Sequence, residues 1–431
     1  MSYDKTSDLK SIQADVLTTN TTDNELISSL KQLKTDNKSV TKAINALNEQ
    51  LGNAQTSASD AVARVVELET VVTQLQAQLA GSNNDGQETG GDAGDETGDE
   101  TGNETGGDIH GTAEHVMGMV LVEEGNKSGT WVRVDRDFNT VEFNPEHGTW
   151  AGMKQVQNET YGEFTEIPIT YVRTETLQSG PYAGKNCWWT ADAPMDGFHV
   201  HPAFIGQDGQ PHNLKIASYV ASKKSGTPYS EDKGKAAYSG YWNNMSYNTI
   251  HDMGWMSGGA RPYSIYDHHL LARLMLTEFG TSDVQVQTVD GVAWTGANRI
   301  NYHGIYDPFG CVNGTCWLDG LTTLNGTNQV LAANGSRDMI ETGISCPGTG
   351  VWPTNCRVDQ ANGINFGDLF IASDSNSSED SGSFADYQYL ISGCAFYVCW
   401  NTNTNRGAFY LDYCNPTNTN SNRGWRVALC S

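Results

Sequence analysis

Apolar residues recur at alternating steps of three and four from Leu9 to Leu79, and this is the most regular pattern in the chain. A 3.5-residue repeat held over about ten heptads is typical of a left-handed coiled coil. A stripe this narrow is buried only against another helix. Residues 1–80 are therefore predicted to form a parallel coiled-coil stalk on the order of 100 Å long, and the chain is predicted to be an oligomer.

Polar residues interrupt this stripe at Thr19, Asp23 and Asn37. A buried Asn at a core position fixes the register and the number of strands at some cost in stability. Branched residues at one core position with Leu at the other favour two strands, but the polar positions weaken that rule. The heptads alone leave both a dimer and a trimer open.

From residue 113 onwards, short apolar and aromatic runs alternate with clusters of Gly, Asn, Asp and Ser. This pattern is typical of strands joined by turns, and it predicts strands in MGMVLVEE, TWVRVD, TEIPITYVRTE and NLKIASYVAS. Residues 263–281 instead have helical spacing, with Asp267 as a candidate cap and Gly280 as the stop. One helix with many short strands and long loops predicts an α+β domain over residues 113–431.

Residues 81–112 separate the two parts and consist mainly of Gly, Thr and acidic residues, with the tetrad x-E-T-G occurring four times. Glycine and like charge keep such a segment extended, which predicts a flexible linker. The carboxylates also suggest calcium binding, but calcium loops need ligands at fixed offsets around a sharp turn, which the tetrad does not supply.

The formal net charge of -25 limits the kinds of partner that the protein is expected to bind. A chain this acidic is not expected to bind nucleic acid or an anionic membrane, and no apolar run reaches transmembrane length. The beginning of the chain lacks a basic region followed by an apolar one, so no secretory signal is expected. Delivery outside a cell would then need another route, such as incorporation into a virus particle.

The nine cysteines all follow residue 113. Cys311/Cys316 and Cys394/Cys399 share a C-x4-C spacing, which leaves a metal site, local disulfides and buried thiols open. Zinc sites usually have C-x2-C pairs with nearby histidines, so no metal is predicted here. His199 and His201 suggest a two-histidine metal site, although a structural role is favoured.

Several stretches together resemble one family: IPITYV, CWWT, MDGFHVHPAFIGQDG at 195–209, LMLTEFGTSDVQ at 274–285 and GWRVAL at 424–429. This combination is similar to the C-type-lectin-like fold of the formylglycine-generating-enzyme superfamily. More narrowly, it resembles bacteriophage receptor-binding and variable proteins, including those diversified by retroelements. The resemblance covers most of residues 113–431.

The resemblance implies a virion protein, a tail fibre or spike that attaches the phage to its host. It implies a homotrimer, assembled in the host cytoplasm, whose N-terminal part contacts a virion structural protein. Its partner would be a receptor on the bacterial surface, either protein or glycan. A head fibre that decorates the capsid with the same adhesive domain is the alternative.

Enzymatic members of the superfamily use a reactive cysteine directly after a C-terminal G-F-R. Here Val427 follows Gly424, Trp425 and Arg426, so neither a catalytic site nor a cofactor is expected, and an oxidase of this type is a weak alternative. The calcium motifs of animal lectins are also missing, so the fold resemblance does not by itself indicate sugar binding.

The C-terminal segment, residues 384–431, interleaves apolar positions with polar and aromatic ones. Tyr gives a large contact area with few rotors, and Asn both donates and accepts hydrogen bonds, a combination typical of binding surfaces. The Asn-rich composition also suits adenine-directed diversification, whereas Asn and Thr in simple turns are the alternative. The predicted receptor-binding residues are Tyr387, Tyr389, Asn401, Asn403, Asn405, Tyr410, Asp412, Tyr413, Asn415, Asn418, Asn420 and Asn422.

Overall fold

β-Strand is the most common regular secondary structure among the described residues. The computed structural model describes residues 116–232, 241–284, 288–289, 292–293, 301–309, 314–323, 327–345, 350–389, 393–400 and 407–431. These residues all belong to one unit, Glu104–Ser431. The α-helices among the described residues are α1 (Gly148–Ala151), α2 (Tyr247–His251) and α3 (Ile265–Phe279).

The strands follow the chain in two groups. The first group comprises β1 (Val116–Glu123), β2 (Thr130–Val134), β3 (Lys154–Asn158), β4 (Gly162–Ile167), β5 (Tyr171–Thr176), β6 (Asn186–Ala191), β7 (His199–Val200), β8 (Leu214–Ala217), β9 (Ala221–Lys224), β10 (Thr227–Ser230), β11 (Ala260–Pro262), β12 (Thr288–Val289) and β13 (Val292–Ala293). The second comprises β14 (Asn301–Tyr302), β15 (Ile305–Tyr306), β16 (Gly314–Thr322), β17 (Thr327–Leu331), β18 (Met339–Ser345), β19 (Gly350–Cys356), β20 (Gln360–Ala361), β21 (Ile364–Asn365), β22 (Ala372–Asn376), β23 (Gln388–Tyr389), β24 (Ala395–Trp400), β25 (Asp412–Cys414), β26 (Arg423–Gly424) and β27 (Val427–Cys430).

The predicted fold class, an N-terminal coiled coil followed by an α+β C-type-lectin-like domain, is wrong. Among the described residues the longest helix, α3, has 15 residues, too few for a stalk, and it is buried inside the strand-rich unit. The other two helices have only four and five residues because turn-forming residues interrupt the chain before a longer helix forms. The coiled-coil segment, residues 1–80, and the linker, residues 81–112, lie outside the described residues.

The local predictions hold where the period of apolar residues is clear. The four predicted runs overlap β1, β2, β4, β5 and β8, although the structure divides TEIPITYVRTE between β4 and β5 at residues 168–170. Helix α3 ends at Gly280 as predicted, in the left-handed conformation with φ 70° that glycine adopts without a steric cost. Its N-cap is Ser264 rather than Asp267, which sits at the third position and completes a capping box.

Three larger sheets position the loops. The first has the order β2-β1-β6-β5-β7 with every pairing antiparallel. The second has the order β11-β27-β8-β4-β10-β9, with β3 added on β4, so the C-terminal strand β27 lies inside the sheet. The third has the order β18-β17-β16-β24-β25, and β26 pairs with β16 in parallel. The smaller sheets are β22-β19-β23 and the pairs β12-β13, β14-β15 and β20-β21.

Helix α3 is buried on nearly every side. Thirteen of its 15 residues are buried, and Leu270, Leu274 and Met275 join the main hydrophobic core. Burial lowers the pKa of His268 to about 3 and holds the pKa of His269 well below its ordinary value. Both histidines are therefore neutral core residues.

The start of α3 is held by a buried ion pair. Both carboxylate oxygens of Asp267 accept hydrogen bonds from Arg261, whose side chain is 5% exposed, and Asp267 also accepts from Ser264 N at 2.6 Å. Burial alone would lower the pKa of Arg261, but the charge of Asp267 outweighs it and raises that pKa. Removing either partner would leave the other charge buried without its counter-ion.

We expect Asp267→Ala to lower the free energy of unfolding by about 3–5 kcal/mol, because it strands the Arg261 guanidinium and removes the cap contact. Lys154→Ala is the matched control, since Lys154 pairs with Glu166 at 3.1 Å but is 65% exposed, and its loss should cost about 0–1 kcal/mol. Urea unfolding of both variants measures the difference. Equal losses in the two variants would contradict the role given to the buried pair.

Candidate functional site

The loop between β25 and β26 contains four of the predicted receptor-binding asparagines. Asn415, Asn418 and Asn420 are exposed, and Asn422 is half-buried at the end of the loop. Asn415 Oδ1 accepts from Thr417 N at 2.9 Å and so shapes the first turn. The side chain of Asn418 makes no hydrogen bond among the described residues and extends from the surface.

Strand β25 supplies the next two predicted residues. Asp412 and Tyr413 are half-buried and lie directly before the loop. Tyr410 is different, because its ring is only 1% exposed and its hydroxyl donates to Asp412 Oδ2 at 2.9 Å. Tyr410 therefore orients Asp412 and supports the surface from below.

The remaining predicted residues lie at the edge of the loop or outside the described residues. Tyr387 is half-buried, with its ring centroid 5.2 Å from that of Trp352. Its ring also covers Gly350, where an added Cβ would lie 2.2 Å from the ring and would force the ring to shift. Tyr389 is the last residue of β23, and its side chain lies outside the described residues, as do Asn401, Asn403 and Asn405.

A second segment, residues 243–249, lies beside the loop and was not predicted. Asn244 N donates to Asn420 O at 3.2 Å, and Asn248 N donates to Pro416 O at 3.2 Å. Asn243 Nδ2 donates to Ser421 O at 2.6 Å. The signal in the sequence is the Asn-rich stretch WNNMSYN, whose composition matches the C-terminal segment.

Together these two segments form one exposed surface, which we call the amide face. Its exposed or half-exposed residues carry amides, hydroxyls and one carboxylate: Asn244, Asn248, Thr249, Asp412, Tyr413, Asn415, Thr417, Asn418, Thr419, Asn420 and Ser421. Asp412 is the only charged member, although the whole chain has a formal net charge of -25. The amide face is thus a nearly neutral, hydrogen-bonding surface on an acidic protein.

Buried aromatic residues support the amide face from beneath. Trp317, Tyr410 and Trp425 are each at most 1% exposed and belong to one hydrophobic cluster. Trp425 contacts the ring of Trp242 at 5.6 Å between centroids, and Trp317 Nε1 donates to Met245 O at 2.9 Å. These contacts fix the segment before α2 to the core, so the amide face rests on a packed base.

Helix α2 is anchored at its C-terminal end by a buried carboxylate. His251 Nδ1 lies 2.7 Å from Asp319 Oδ1, and the other oxygen of Asp319 pairs with Arg337. The Asp319 side chain is fully buried, whereas that of His251 is 29% exposed. The hydrogen bond with Asp319 raises the pKa of His251 even though partial burial opposes it.

The histidine pair of the GFHVHPAF stretch serves two different purposes. His201 is buried, and its Nδ1 accepts from Ala203 N at 3.3 Å, where it caps the 3-10 helix Pro202–Phe204. The predicted structural role of this second histidine is confirmed. His199 is 34% exposed and pairs with Asp368 rather than with His201.

Among the described residues, Cys187, Cys356, Cys414 and Cys430 are free thiols, and Cys316 and Cys394 are buried. Cys311 and Cys346 lie outside the described residues, as does the side chain of Cys399 on β24, so each C-x4-C pair includes one thiol that is not described. Val427, at the position of the reactive cysteine in the oxidases, is buried in β27 opposite Pro262. No cluster of three or more metal-binding side chains occurs in the part of the chain that the structure describes.

The chain matches no protein-family model, and no curated protein matches its sequence. The resemblance to phage receptor-binding proteins therefore stays a prediction. Among the described helices, none combines the length and the apolar composition that crossing a bilayer requires.

We expect the contribution of His251 to stability to depend on pH. Its pKa is raised in the folded state, so the contribution is complete below the unfolded pKa and is lost as the pH rises through the folded pKa. The difference in unfolding free energy between the wild type and His251→Gln should therefore be largest near pH 5 and decrease towards pH 9. Urea unfolding across this range measures it.

His212→Gln is the control for that measurement, because His212 pairs with Asp208, a carboxylate that is 56% exposed. Its difference from the wild type should change less over the same range. A His251→Gln difference that stays constant with pH would argue against the pairing with Asp319.

Proposed function

We propose that this protein is a bacteriophage adhesin that attaches the particle to a receptor on the bacterial surface through the amide face. The observation that carries the proposal is the exposure of Asn415, Asn418 and Asn420 beside Asn244 and Asn248 on one surface. The family resemblance of the GFHVHPAF and GWRVAL stretches supplies the phage context.

The chemistry of the amide face suits recognition rather than catalysis. Each amide side chain offers a donor and an acceptor, and each hydroxyl can do both. Such groups match the hydroxyls of a glycan or the backbone of a surface protein. The single carboxylate of Asp412 is already engaged by Tyr410 and by the backbone N of Tyr413 at 2.8 Å.

The packed base also supports this proposal. A binding surface loses less entropy on association when its residues are already held in place. The loop residues 415–421 are tied to residues 243–248 by hydrogen bonds, and both segments lie over the Trp317 and Trp425 cluster. Recognition would then depend on the exposed side chains, with little rearrangement of the backbone.

We expect the triple variant Asn248→Ala, Asn418→Ala, Asn420→Ala to bind host cells at least about tenfold more weakly, because it removes three exposed amides from the centre of the proposed contact. Tyr410 is left intact, since truncating this buried ring would leave a cavity and disturb folding. Binding of fluorescently labelled protein to a panel of bacterial strains measures the loss.

The matched control is Gln157→Ala, Gln178→Ala, Gln210→Ala, which removes three exposed amides outside the amide face. This variant should label the same strains as the wild type, and both variants should keep the wild-type melting temperature. Undiminished labelling by the asparagine variant would contradict the proposal, and so would a wild-type protein that labels none of the strains.

A further inference from the structure

A polar cleft of about 620 Å³ opens on a different part of the unit, beside β5 and the β20-β21 hairpin. Its volume is within the range of about 300–1,000 Å³ that is typical of small-molecule sites. Most such sites are lined mainly by apolar groups. This cleft is lined instead mainly by side chains that form hydrogen bonds, those of Arg173, His199, Asp359, Gln360 and Asn365. Val358 is the apolar residue of the lining.

His199 is held rigidly at the wall of this cleft. Its Nε2 lies 2.7 Å from Asp368 Oδ2 and 3.2 Å from Asn365 Nδ2. The Asp368 side chain is fully buried and also accepts from Arg273 at 3.2 Å. Burial would raise the pKa of Asp368, but the contact with His199 and the charge of Arg273 outweigh it, and the pKa is lowered.

Arg273 in turn fixes the floor of the cleft. Its guanidinium, fully buried on α3, donates to Gly367 O at 2.9 Å, to Thr174 Oγ1 at 2.8 Å and to Trp189 O at 3.0 Å. The chain of contacts from Arg273 through Asp368 to His199 therefore sets the direction of the imidazole. The remaining ring atom, Nδ1, has no hydrogen-bond partner among the described residues and is available to a ligand.

Every charged group that lines the cleft is neutralised nearby. Arg173 pairs with Glu175 at 2.6 Å, and Asp359 accepts from Arg357 Nε at 2.9 Å. His199 faces the buried carboxylate of Asp368. Among the described residues that line the cleft, an anion would find no unpaired cation and a cation would find no unpaired carboxylate. An anion would also meet a protein with a formal net charge of -25.

We propose that this cleft is a second binding site, for a neutral saccharide whose hydroxyls bond to His199, Asn365 and Gln360. Sugar hydroxyls donate and accept at once, which matches a wall of amides, an imidazole nitrogen and already paired charges. None of these residues belongs to the amide face, and they come from other segments of the chain, so the cleft goes beyond the proposed adhesive surface.

The test uses the full chain on an array of defined neutral, acidic and amino oligosaccharides, followed by calorimetric titration of the neutral glycan that binds most tightly. Asn365→Ala removes a proposed hydrogen bond and should raise the Kd about tenfold. Val358→Trp fills the cleft and should abolish binding. Ser375→Trp places the same indole on β22, outside the cleft, and Asn418→Ala changes only the amide face; both should bind as the wild type does.

Each outcome decides the proposal. Weaker glycan binding by Asn365→Ala and none by Val358→Trp, with wild-type binding in both controls and unchanged melting temperatures, supports it. Glycan binding that survives Val358→Trp but is lost in Asn418→Ala would overturn the cleft site while supporting the amide face. Absence of binding to any neutral glycan, or competition by sulfate at the cleft, would overturn the ligand class.

Discussion

The described unit depends on one buried cation. The guanidinium of Arg273 sits on α3 with no exposed surface and bonds to Trp189 on β6, Thr174 on β5 and Gly367 beside the β20-β21 hairpin. Its charge is compensated by Asp368. Without this carboxylate, the buried charge would lower the free energy of unfolding by about 3–5 kcal/mol. The helix is thereby fastened to strands far apart in the chain, and the cleft wall takes its shape from the same contacts.

A division between rigid base and polar surface runs through the rest of the unit. Indole and phenol rings, above all Trp317, Tyr410 and Trp425, fill the space under the C-terminal loop. Two of them also form local hydrogen bonds: Trp317 Nε1 donates to Met245 O, and the Tyr410 hydroxyl donates to Asp412. The exposed asparagines above them therefore do not pack in the core, and their amide groups face the solvent.

The elements that could be predicted from the sequence are those set by the local spacing of apolar residues and by the residues that favour turns. The strands around Val120 and Val172, and the helix ending at Gly280, follow from apolar spacing and from the conformational freedom of glycine. The fold class was wrong because class depends on how segments pair across long separations, which local spacing does not encode. For the same reason the contact of Asn244 with Asn420 was missed, and buried Tyr410 was assigned to the surface, since tyrosine suits both places.

The bonds that join the two halves of the amide face have one property in common. In the three bonds described above, the acceptor on the C-terminal side is a main-chain carbonyl, at Pro416, Asn420 or Ser421, so none of these three involves a side chain of that loop. The contact between the loop and residues 243–248 therefore depends little on which side chains occupy positions 417–421. The side chains of such a loop can vary between related proteins while its backbone keeps its position beside α2. A binding surface that must adapt to a changing target requires this property.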